Sequence, residues 1–588
     1  MNARILTVAM MLVVVAAQAQ KATMIIHNAN IVTLDDARPT AHAVAVVNDR
    51  IVAVGNDKEI LARKSKGTKV IDAHGRTLIP GLYDSHLHVI RAGRFYNTEL
   101  RWDGVTSLAR ALDMLREQAA RTPQGQWVRV VGGWNEYQFQ EKRLPTLDEI
   151  NAAIGNTPAF VLYLYSHAYL NKAALKTLNI DGNTPNPPGG LIQKDADGRP
   201  TGLLIAEPNA FILYSTLAKL PELNATEKLN STRLYMNELN RLGVTSVMDA
   251  GGGFQNYPDD YEITDSLDAL GHLTVRIPYY LFAQKAGTEL QDYQRWTSMV
   301  DIDHQHEDGP ITYHVQGGGE NLIASGADFE NFTKPRPQLV PAMEKQLTEV
   351  LTVLVKKRWP FRLHATYNES IGRFLDVIEA VNKEYPINGL PWFFDHAETV
   401  TEENLKRIKA LGGGIAIQDR MAFQGETFVA RYGKTAALDA PPLGKMLDLG
   451  IKVGLGTDGT RVSSYNPWLS LYWLTTGKTI GGKELLGKEN RLDRTRALKL
   501  LTQGSASLIN QDTDRGAIKA GYLADMALLS EDYFTVNEET IRNIHSVITV
   551  LGGKVVYGGQ EFKTVAPQMP AAIPEWSPVN FYGGYQYK

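Results

Sequence analysis

Four histidines and one aspartate stand where apolar runs of the chain end, and their side chains are of the kinds that bind divalent metals. His86 and His88 close the first of these runs, and His364, His396 and Asp458 each close a later one. Because side chains alternate along a strand, residues i and i+2 point the same way, so the two imidazoles of the His-x-His pair project to one spot. Packing has no need of clustered imidazoles. The set therefore predicts a metal centre.

These runs belong to a repeating pattern of strands and helices. Eight apolar segments predict strands over residues 77–89, 244–250, 274–282, 311–316, 360–366, 391–397, 414–418 and 452–458. Helical patterns lie between most of them, such as 343–357 and 402–411, where Thr399 with Glu402 predicts a capping box and Gly412 a stop. The pattern predicts an α/β fold, a (β/α)8 TIM-like barrel, in which chemistry sits at the carboxyl ends of the strands. All five candidate ligands fall there.

Both ends of the chain carry short β runs broken by turn signals, which predict one composite β-sandwich domain built from both termini. The interval between the first two barrel strands is too long for a barrel crossover. Its aromatic, turn-rich sequence, with a hairpin near residues 187–202, predicts an inserted subdomain over the barrel mouth. The predicted divisions are a signal peptide (1–19), the N-terminal portion of the β-sandwich (20–78), barrel strand 1 (79–95), the insertion (96–215), the rest of the barrel (216–508), the C-terminal portion of the β-sandwich (509–562) and an irregular tail (563–588).

Composition narrows the class of protein. With 588 residues, 44% hydrophobic and 21% charged, the chain is typical of a folded globular protein, and a formal charge of −3 with no basic stripe argues against a nucleic-acid partner. A basic start, a short apolar core and Ala17-Gln-Ala19 predict a secretory signal peptide cut after Ala19, hence a periplasmic protein with no stable membrane anchor after cleavage. The chain has no cysteine, so any metal must be held by nitrogen and oxygen ligands.

The motifs resemble those of the amidohydrolase superfamily, and most closely its YtcJ-like branch (amidohydrolase family 3), which includes N-substituted formamide deformylases. The resemblance spans about residues 23–560 and rests on Pro80-Gly-Leu-Tyr-Asp-Ser-His-Leu-His, His167-Ala-Tyr-Leu-Asn, His364, His396, Gly456-Thr-Asp458 and Gly521-Tyr-Leu-Ala-Asp525. It implies a barrel with a composite β-sandwich, metal-dependent hydrolysis of C–N bonds, and metal contacts by His86, His88, His364, His396 and Asp458.

The chain departs from the family pattern at the end of the fourth strand. Many two-metal members carry a carboxylated lysine there, whereas Thr312 falls near that place in this chain. This favours one metal ion, with His396 contacting bound water or a substrate oxygen, over two. His314, Gln316 or Glu320 stay open as replacements for the bridge. The donor set suits zinc, and also iron, manganese and cobalt.

The roles follow from the chemistry of amide hydrolysis. A bound Zn²⁺ lowers the pKa of its water from about 16 to about 7. Asp458 is the predicted proton shuttle between water and leaving amine, and His396 stabilises the oxyanion if it is not a second-metal ligand. Weaker candidates for substrate contact are Trp134 and Tyr137 as an apolar wall, His167 on one helical face with Asn171, and Arg461 as a carboxylate binder.

We therefore expect an exported, metal-dependent hydrolase of a non-peptide or modified amide C–N bond acting on a small molecule. A deaminase, or a cyclic-amide or lactone hydrolase, on the same barrel is the first alternative. Tyr367 stands where some mononuclear deaminases carry a glutamate, which weakens it. A non-catalytic metal-binding or regulatory protein is the second alternative, and a homo-oligomer stays open.

Overall fold

The computed structural model describes residues 21–207, 209–302, 313–329, 332–333 and 335–586. The predicted signal peptide and Thr312 lie outside these ranges. Among the described helices, none combines the length and apolar character needed to cross a bilayer.

Eight parallel strands form the central sheet, one for each predicted apolar segment. They are β1 (Leu82–Leu87), β2 (Val244–Asp249), β3 (Ile277–Leu281), β4 (Tyr313–Gly318), β5 (Phe361–Ala365), β6 (Trp392–His396), β7 (Gly414–Gln418) and β8 (Lys452–Gly456). They pair in sequence order, and β8 returns beside β1, where the Asp458 amide donates to the His86 carbonyl over 2.7 Å. The sheet is thus a nearly closed barrel.

Helices cover the outside of the barrel. Those between or after the strands are Ala225–Arg241, Glu262–Ala269, Glu289–Met299, Met343–Lys356, Asn368–Glu384, Glu402–Ala410, Arg420–Tyr432, Lys434–Leu438, Leu443–Asp448, Pro467–Thr476 and Arg494–Lys499. Met343–Lys356 shows why they form, since its buried residues Met343, Leu347, Val350 and Leu354 recur every three to four positions.

The predicted capping box of the helix Glu402–Ala410 is wrong. The N-cap is Thr401, and the Thr399 hydroxyl instead accepts a hydrogen bond from the Asn368 amide. The predicted stop is confirmed, because Gly412 follows the helix with φ of +73°, which glycine adopts without steric cost.

Two further sheets form the small domain. One contains Arg50–Gly55, Ala43–Val47, Met24–His27 and Lys69–Asp72. The other contains Lys554–Gly558, Ser546–Leu551, Met526–Leu529, Thr77–Pro80, Asn30–Val32 and Thr40–Ala41. Strands from both chain ends pair in the second sheet, and a shared apolar core lies between the sheets. This confirms the composite sandwich.

The segment between β1 and β2 contains a six-stranded sheet of its own. Its strands, in spatial order, are Leu191–Lys194, Pro200–Ile205, His167–Leu170, Ala159–Tyr163, Val128–Val130 and Glu99–Leu100. Its helices are Val89–Phe95, Leu108–Arg121, Leu147–Ile154, Lys172–Thr177 and Phe211–Leu217. Separate apolar clusters cover its two faces. The first two strands form the predicted hairpin.

The tail after residue 562 holds a short helix, Val579–Tyr582, and packs against both larger regions of the chain. The Tyr585 amide donates to Glu238 on a barrel helix, and the Gln586 amide donates to the Asp103 carbonyl in the insertion, each over 2.9 Å.

Candidate metal centre

The barrel brings the five predicted ligands to one end. His86 lies in β1 and His88 just after it, His364 lies in β5, His396 ends β6, and Asp458 follows β8. His396 and Asp458 have φ of +77° and +55°. Residues other than glycine rarely adopt this conformation, which is common at functional positions.

The polar atoms of these side chains lie close together. Asp458 Oδ1 lies 3.5 Å from His86 Nε2 and 3.4 Å from His88 Nε2. On the other side, His396 Nε2 lies 2.9 Å from His364 Nδ1. The cluster is buried, since the His86 ring is fully enclosed and His396 is 1% exposed.

Glu320 lies between the two halves of this cluster. Its carboxylate oxygens lie 3.1 Å from His364 Nδ1, 3.4 Å from His396 Nε2, 3.7 Å from His86 Nε2 and 3.9 Å from His88 Nε2. Glu320 follows β4 closely, so it reaches the cluster from the strand end where a bridging lysine is absent. Of the three replacements that the sequence left open, Glu320 is the one among the histidines.

His314 and Gln316, the other two replacements, contact each other within β4. His314 Nε2 lies 3.0 Å from Gln316 Oε1.

Contacts at Nδ1 orient the rings of His86 and His88 so that Nε2 faces the cluster. His86 Nδ1 lies 2.9 Å from Asp395 Oδ1, and His88 Nδ1 contacts the Gly251 carbonyl. Arg362 holds Asp395 with two hydrogen bonds in the barrel interior. A ring that donates from Nδ1 keeps its Nε2 lone pair for a metal.

His364 is turned the other way round. Its Nε2 lies 2.9 Å from the Asp328 carbonyl, so its Nδ1 faces the cluster.

Electrostatics favour the protonation states that a metal needs. Burial, helped by the nearby Arg91 charge, lowers the pKa of His88 to about 4, and burial lowers the pKa of His396 well below its usual value. Burial alone would raise the pKa of Glu320, but the imidazoles of His86 and His364 outweigh it, so the carboxyl is ionised. Neutral imidazoles and ionised carboxylates are the metal-binding forms.

The residues fit a divalent ion. Within the described chain, His86 Nε2 and His396 Nδ1 are buried without a hydrogen-bond partner. Two overlapping triads have ligand atoms within 4.8 Å of one another: His86, Glu320, His396, and His86, His88, Asp458. A cation would satisfy such inward-facing lone pairs.

A cavity of about 330 Å³ opens from the cluster. Aromatic side chains form part of its wall: Tyr165, Phe211 and Tyr214 come from the insertion, and Phe282 and Phe329 from the barrel loops. Such a cavity suits a small molecule with an apolar portion. Sequence reasoning missed these aromatic residues, because they carry no motif.

Three predicted substrate residues are not among those that line this cavity. Trp134 is fully buried in the insertion core, where its Nε1 donates to the Leu162 carbonyl. Tyr137 packs against Gly481. His167 lies in a strand instead of a helix, stacks on Tyr163 and hydrogen-bonds to Ser166, so it serves the insertion.

Arg461 lies close to the metal-site cavity. It lines a neighbouring cavity of about 190 Å³ that shares Arg91, Tyr214 and Gly253 with the first.

The barrel, the composite sandwich and the cluster at the strand ends define a class of hydrolase barrels. The chain belongs to the amidohydrolase family, whose model matches residues 69–557. It is 27% identical to an N-substituted formamide deformylase of Arthrobacter pascens over 92% of this chain and 99% of that protein. It is 25% identical to the putative amidohydrolase YtcJ of Bacillus subtilis (strain 168), over 90% and 98%.

Solved structures agree on the fold. An uncharacterized metal-dependent hydrolase of Pyrococcus horikoshii OT3 superposes with a TM-score of 0.62 at 20% identity, covering 88% of this chain and 99% of that one. The predicted family and branch are confirmed. The family and the buried cluster support a hydrolase with a divalent-metal site.

Proposed function

We propose that the protein is an exported amidohydrolase that cleaves a non-peptide amide C–N bond of a small molecule with metal-activated water. The observation that carries the proposal is the buried cluster of four imidazoles and two carboxylates at the carboxyl end of the barrel, open to an aromatic cavity. The formamide deformylase relative supports an amide as substrate.

The cluster has donors for two divalent ions such as zinc, and Glu320 would help to hold them. His86, His88 and Asp458 would hold one ion, because they form one compact triad. Glu320 with His364 and His396 would hold the other, because the Glu320 carboxylate lies 3.1 Å from His364 Nδ1 and 3.4 Å from His396 Nε2. The expectation of one ion rested on the missing lysine, and Glu320 supplies a carboxylate in its place. The oxyanion role of His396 belongs to the single-ion alternative.

When bound, the ion supplies hydroxide at neutral pH and polarises the amide carbonyl. Asp458 takes the proton of the attacking water and passes it to the leaving amine. Its position suits this role, because its carboxylate lies near His86 and His88 and also lines the cavity. Asp395 holds the His86 ring in its orientation, and the Gly251 carbonyl does the same for the His88 ring. The aromatic wall excludes bulk water from the amide.

The test combines metal content with turnover. Full-length protein is loaded with zinc, manganese or cobalt, and free amine is measured across N-formyl and N-acetyl amides. We expect about two ions per chain, loss of metal in His88→Ala, and a kcat about 10²- to 10⁴-fold lower in Asp458→Asn with its fold retained. His74→Ala, at an exposed histidine of the small domain, is the matched control.

The proposal is overturned if both site variants hold metal as tightly as the parent, or if the loaded parent cleaves no amide. Metal without turnover would point to the binding-protein alternative. Release of ammonia in place of a substituted amine would point to the deaminase.

Export has its own measurement. Protein recovered from the periplasm of an expressing bacterium is expected to begin at Gln20, as read by N-terminal sequencing. An intact N-terminus on cytoplasmic protein would contradict export.

A further inference from the structure

Three arginines line the cavity next to the metal centre without a partner of opposite charge. Arg91, Arg129 and Arg461 are 3%, 4% and 7% exposed, and within the described residues none of them lies in ion-pair contact with a carboxylate. Buried charges are normally paired, because desolvation is costly.

The acidic residues of the same cavity are already occupied. Glu99 pairs with Arg101, Glu222 with Lys228 over 2.6 Å, and Asp260 with Arg94 over 2.7 Å. The carboxylates that line this cavity therefore form their close ion pairs with other cations, and not with Arg91, Arg129 or Arg461.

Two of the unpaired guanidinium groups meet at one tyrosine. Arg461 Cζ lies 4.6 Å and Arg91 Cζ 5.4 Å from the centre of the Tyr214 ring, and Arg91 Nη1 donates to the Tyr214 hydroxyl over 3.2 Å. Arg91 Nη2 is buried with no hydrogen-bond partner, and Arg461 makes no hydrogen bond to a described residue. Burial and the Arg91 charge lower the pKa of Arg461, which expresses the same repulsion.

This arginine pair adjoins the reacting centre. Arg91 follows His88 by one helical turn. A Cβ atom at Gly252 would lie 2.8 Å from Arg91 Nη1 and 3.5 Å from His88 Nδ1, so both side chains lie close to this glycine. Arg91, Tyr214 and Gly253 line both cavities, so a molecule in the metal-site cavity can contact Arg91 directly. Arg461 lines only the neighbouring cavity, where it lies beside the shared Tyr214.

We propose that Arg461 and Arg91 form a specificity site for a carboxylate on the substrate, so that the enzyme prefers amides whose molecule also carries a carboxylate near the scissile bond. The proposal rests on the proposed function for the amide, whereas the carboxylate site rests on the arginines alone. Guanidinium groups match the planar carboxylate with paired hydrogen bonds.

The first experiment compares N-formyl and N-acetyl amino acids with their methylamides, in which a neutral amide replaces the carboxylate, and follows the release of formate or acetate. We expect kcat/KM to be about 10- to 100-fold higher for the acids, with most of the difference in KM, and we expect Arg461→Met to abolish this preference while Arg461→Lys retains part of it. Arg116→Met, at an exposed arginine of the insertion, is the control that keeps the preference.

The second experiment measures the unfolding midpoint with succinate and with its neutral analogue succinamide. We expect succinate to raise the midpoint of the parent, succinamide to leave it unchanged, and Arg461→Met to lose the shift. Because Arg461→Met removes a buried unpaired charge, its midpoint without ligand should equal or exceed that of the parent, whereas the loss of a merely structural arginine would lower it.

Equal kcat/KM for acids and methylamides, or a succinate shift that survives Arg461→Met, would overturn the carboxylate site. An Arg461→Met effect on kcat for every amide, with the ratio kept, would overturn its role in specificity. If the loaded protein cleaves no amide at all, the proposed function fails, and the succinate shift still decides whether the arginines bind a carboxylate.

Discussion

Glu320 places a carboxylate among the histidines, at the strand end where the family pattern has a modified lysine. Its carboxylate lies within 3.9 Å of all four histidines of the centre, and those imidazoles hold its pKa well below the usual value despite burial. A lysine in this position needs carboxylation before it offers two oxygens. A glutamate offers them directly.

Replacing Glu320 with Gln keeps the size of the side chain and removes its charge. We expect the metal content of Glu320→Gln to fall from two ions to one and its kcat to fall at least about 100-fold, because a shared carboxylate would be lost from both positions. Elemental analysis measures the metal content, and amine release measures kcat. Glu349→Gln, on an exposed helix face, is the control, and two tightly held ions in Glu320→Gln would contradict the bridging role.

At the scale of elements, a glycine of the insertion sets how closely that subdomain approaches the barrel mouth. Gly132 has φ of +67°, and a Cβ atom there would lie 1.4 Å from the Thr460 carbonyl oxygen. The loop that it touches follows β8 and carries both Asp458 and Arg461. The insertion therefore supports the loop that holds the proposed proton shuttle.

Gly132→Ala separates this contact from simple backbone strain when it is compared with Gly125→Ala. Gly125 has φ of +85° and open space around its Cβ position, so its substitution should cost about 1 kcal/mol of unfolding free energy. Gly132→Ala should cost more and also lower kcat, because the loop must move. Urea unfolding and amine release measure the two effects, and equal values for both variants would refute the support role.

At the scale of the whole molecule, a buried ion pair joins the small domain to the barrel. Arg276, just before β3, makes two hydrogen bonds, of 2.8 and 3.1 Å, to Asp525, which also accepts from the Gly552 amide over 2.7 Å. Burial alone would raise the pKa of Asp525, but Arg276 outweighs it and the pKa lies below its usual value. Asp525 is the last residue of the motif Gly521-Tyr-Leu-Ala-Asp525, and its role there is to hold the small domain against the barrel.

Asp525→Asn should lower the free energy of unfolding by about 3–5 kcal/mol at neutral pH, because it leaves Arg276 buried without its partner. Since the folded pKa is depressed, the contribution of Asp525 is present above its unfolded pKa of about 3.9 and is lost as pH falls below it. Urea titrations from pH 7 to pH 3 should show parent and variant converging. A difference that is constant with pH would contradict the ion-pair origin.

The sequence predicts the barrel and the meeting of the five proposed ligands at one end of it, because strand ends in such a fold meet at one place. The sequence narrows the replacement for the bridging lysine only to His314, Gln316 and Glu320, because the glycines before Glu320 give no signal of where β4 ends. The spacing of His167 to Asn171 predicts a helix, whereas the alternation of Ala168 and Leu170 with His167 and Tyr169 is that of the strand observed. The aromatic wall was not predicted, because no periodic rule says which face of an insertion meets the barrel.

The small domain has a consequence for synthesis. Thr77–Pro80 leaves the ribosome early, yet its neighbour Met526–Leu529 emerges only after the entire barrel. The second sheet of the small domain is therefore completed only after the barrel has been made. Until then the edge of Thr77–Pro80 that pairs with Met526–Leu529 is exposed, where it can promote aggregation. We expect a nascent chain halted near residue 500 to depend on chaperones that the finished protein no longer needs.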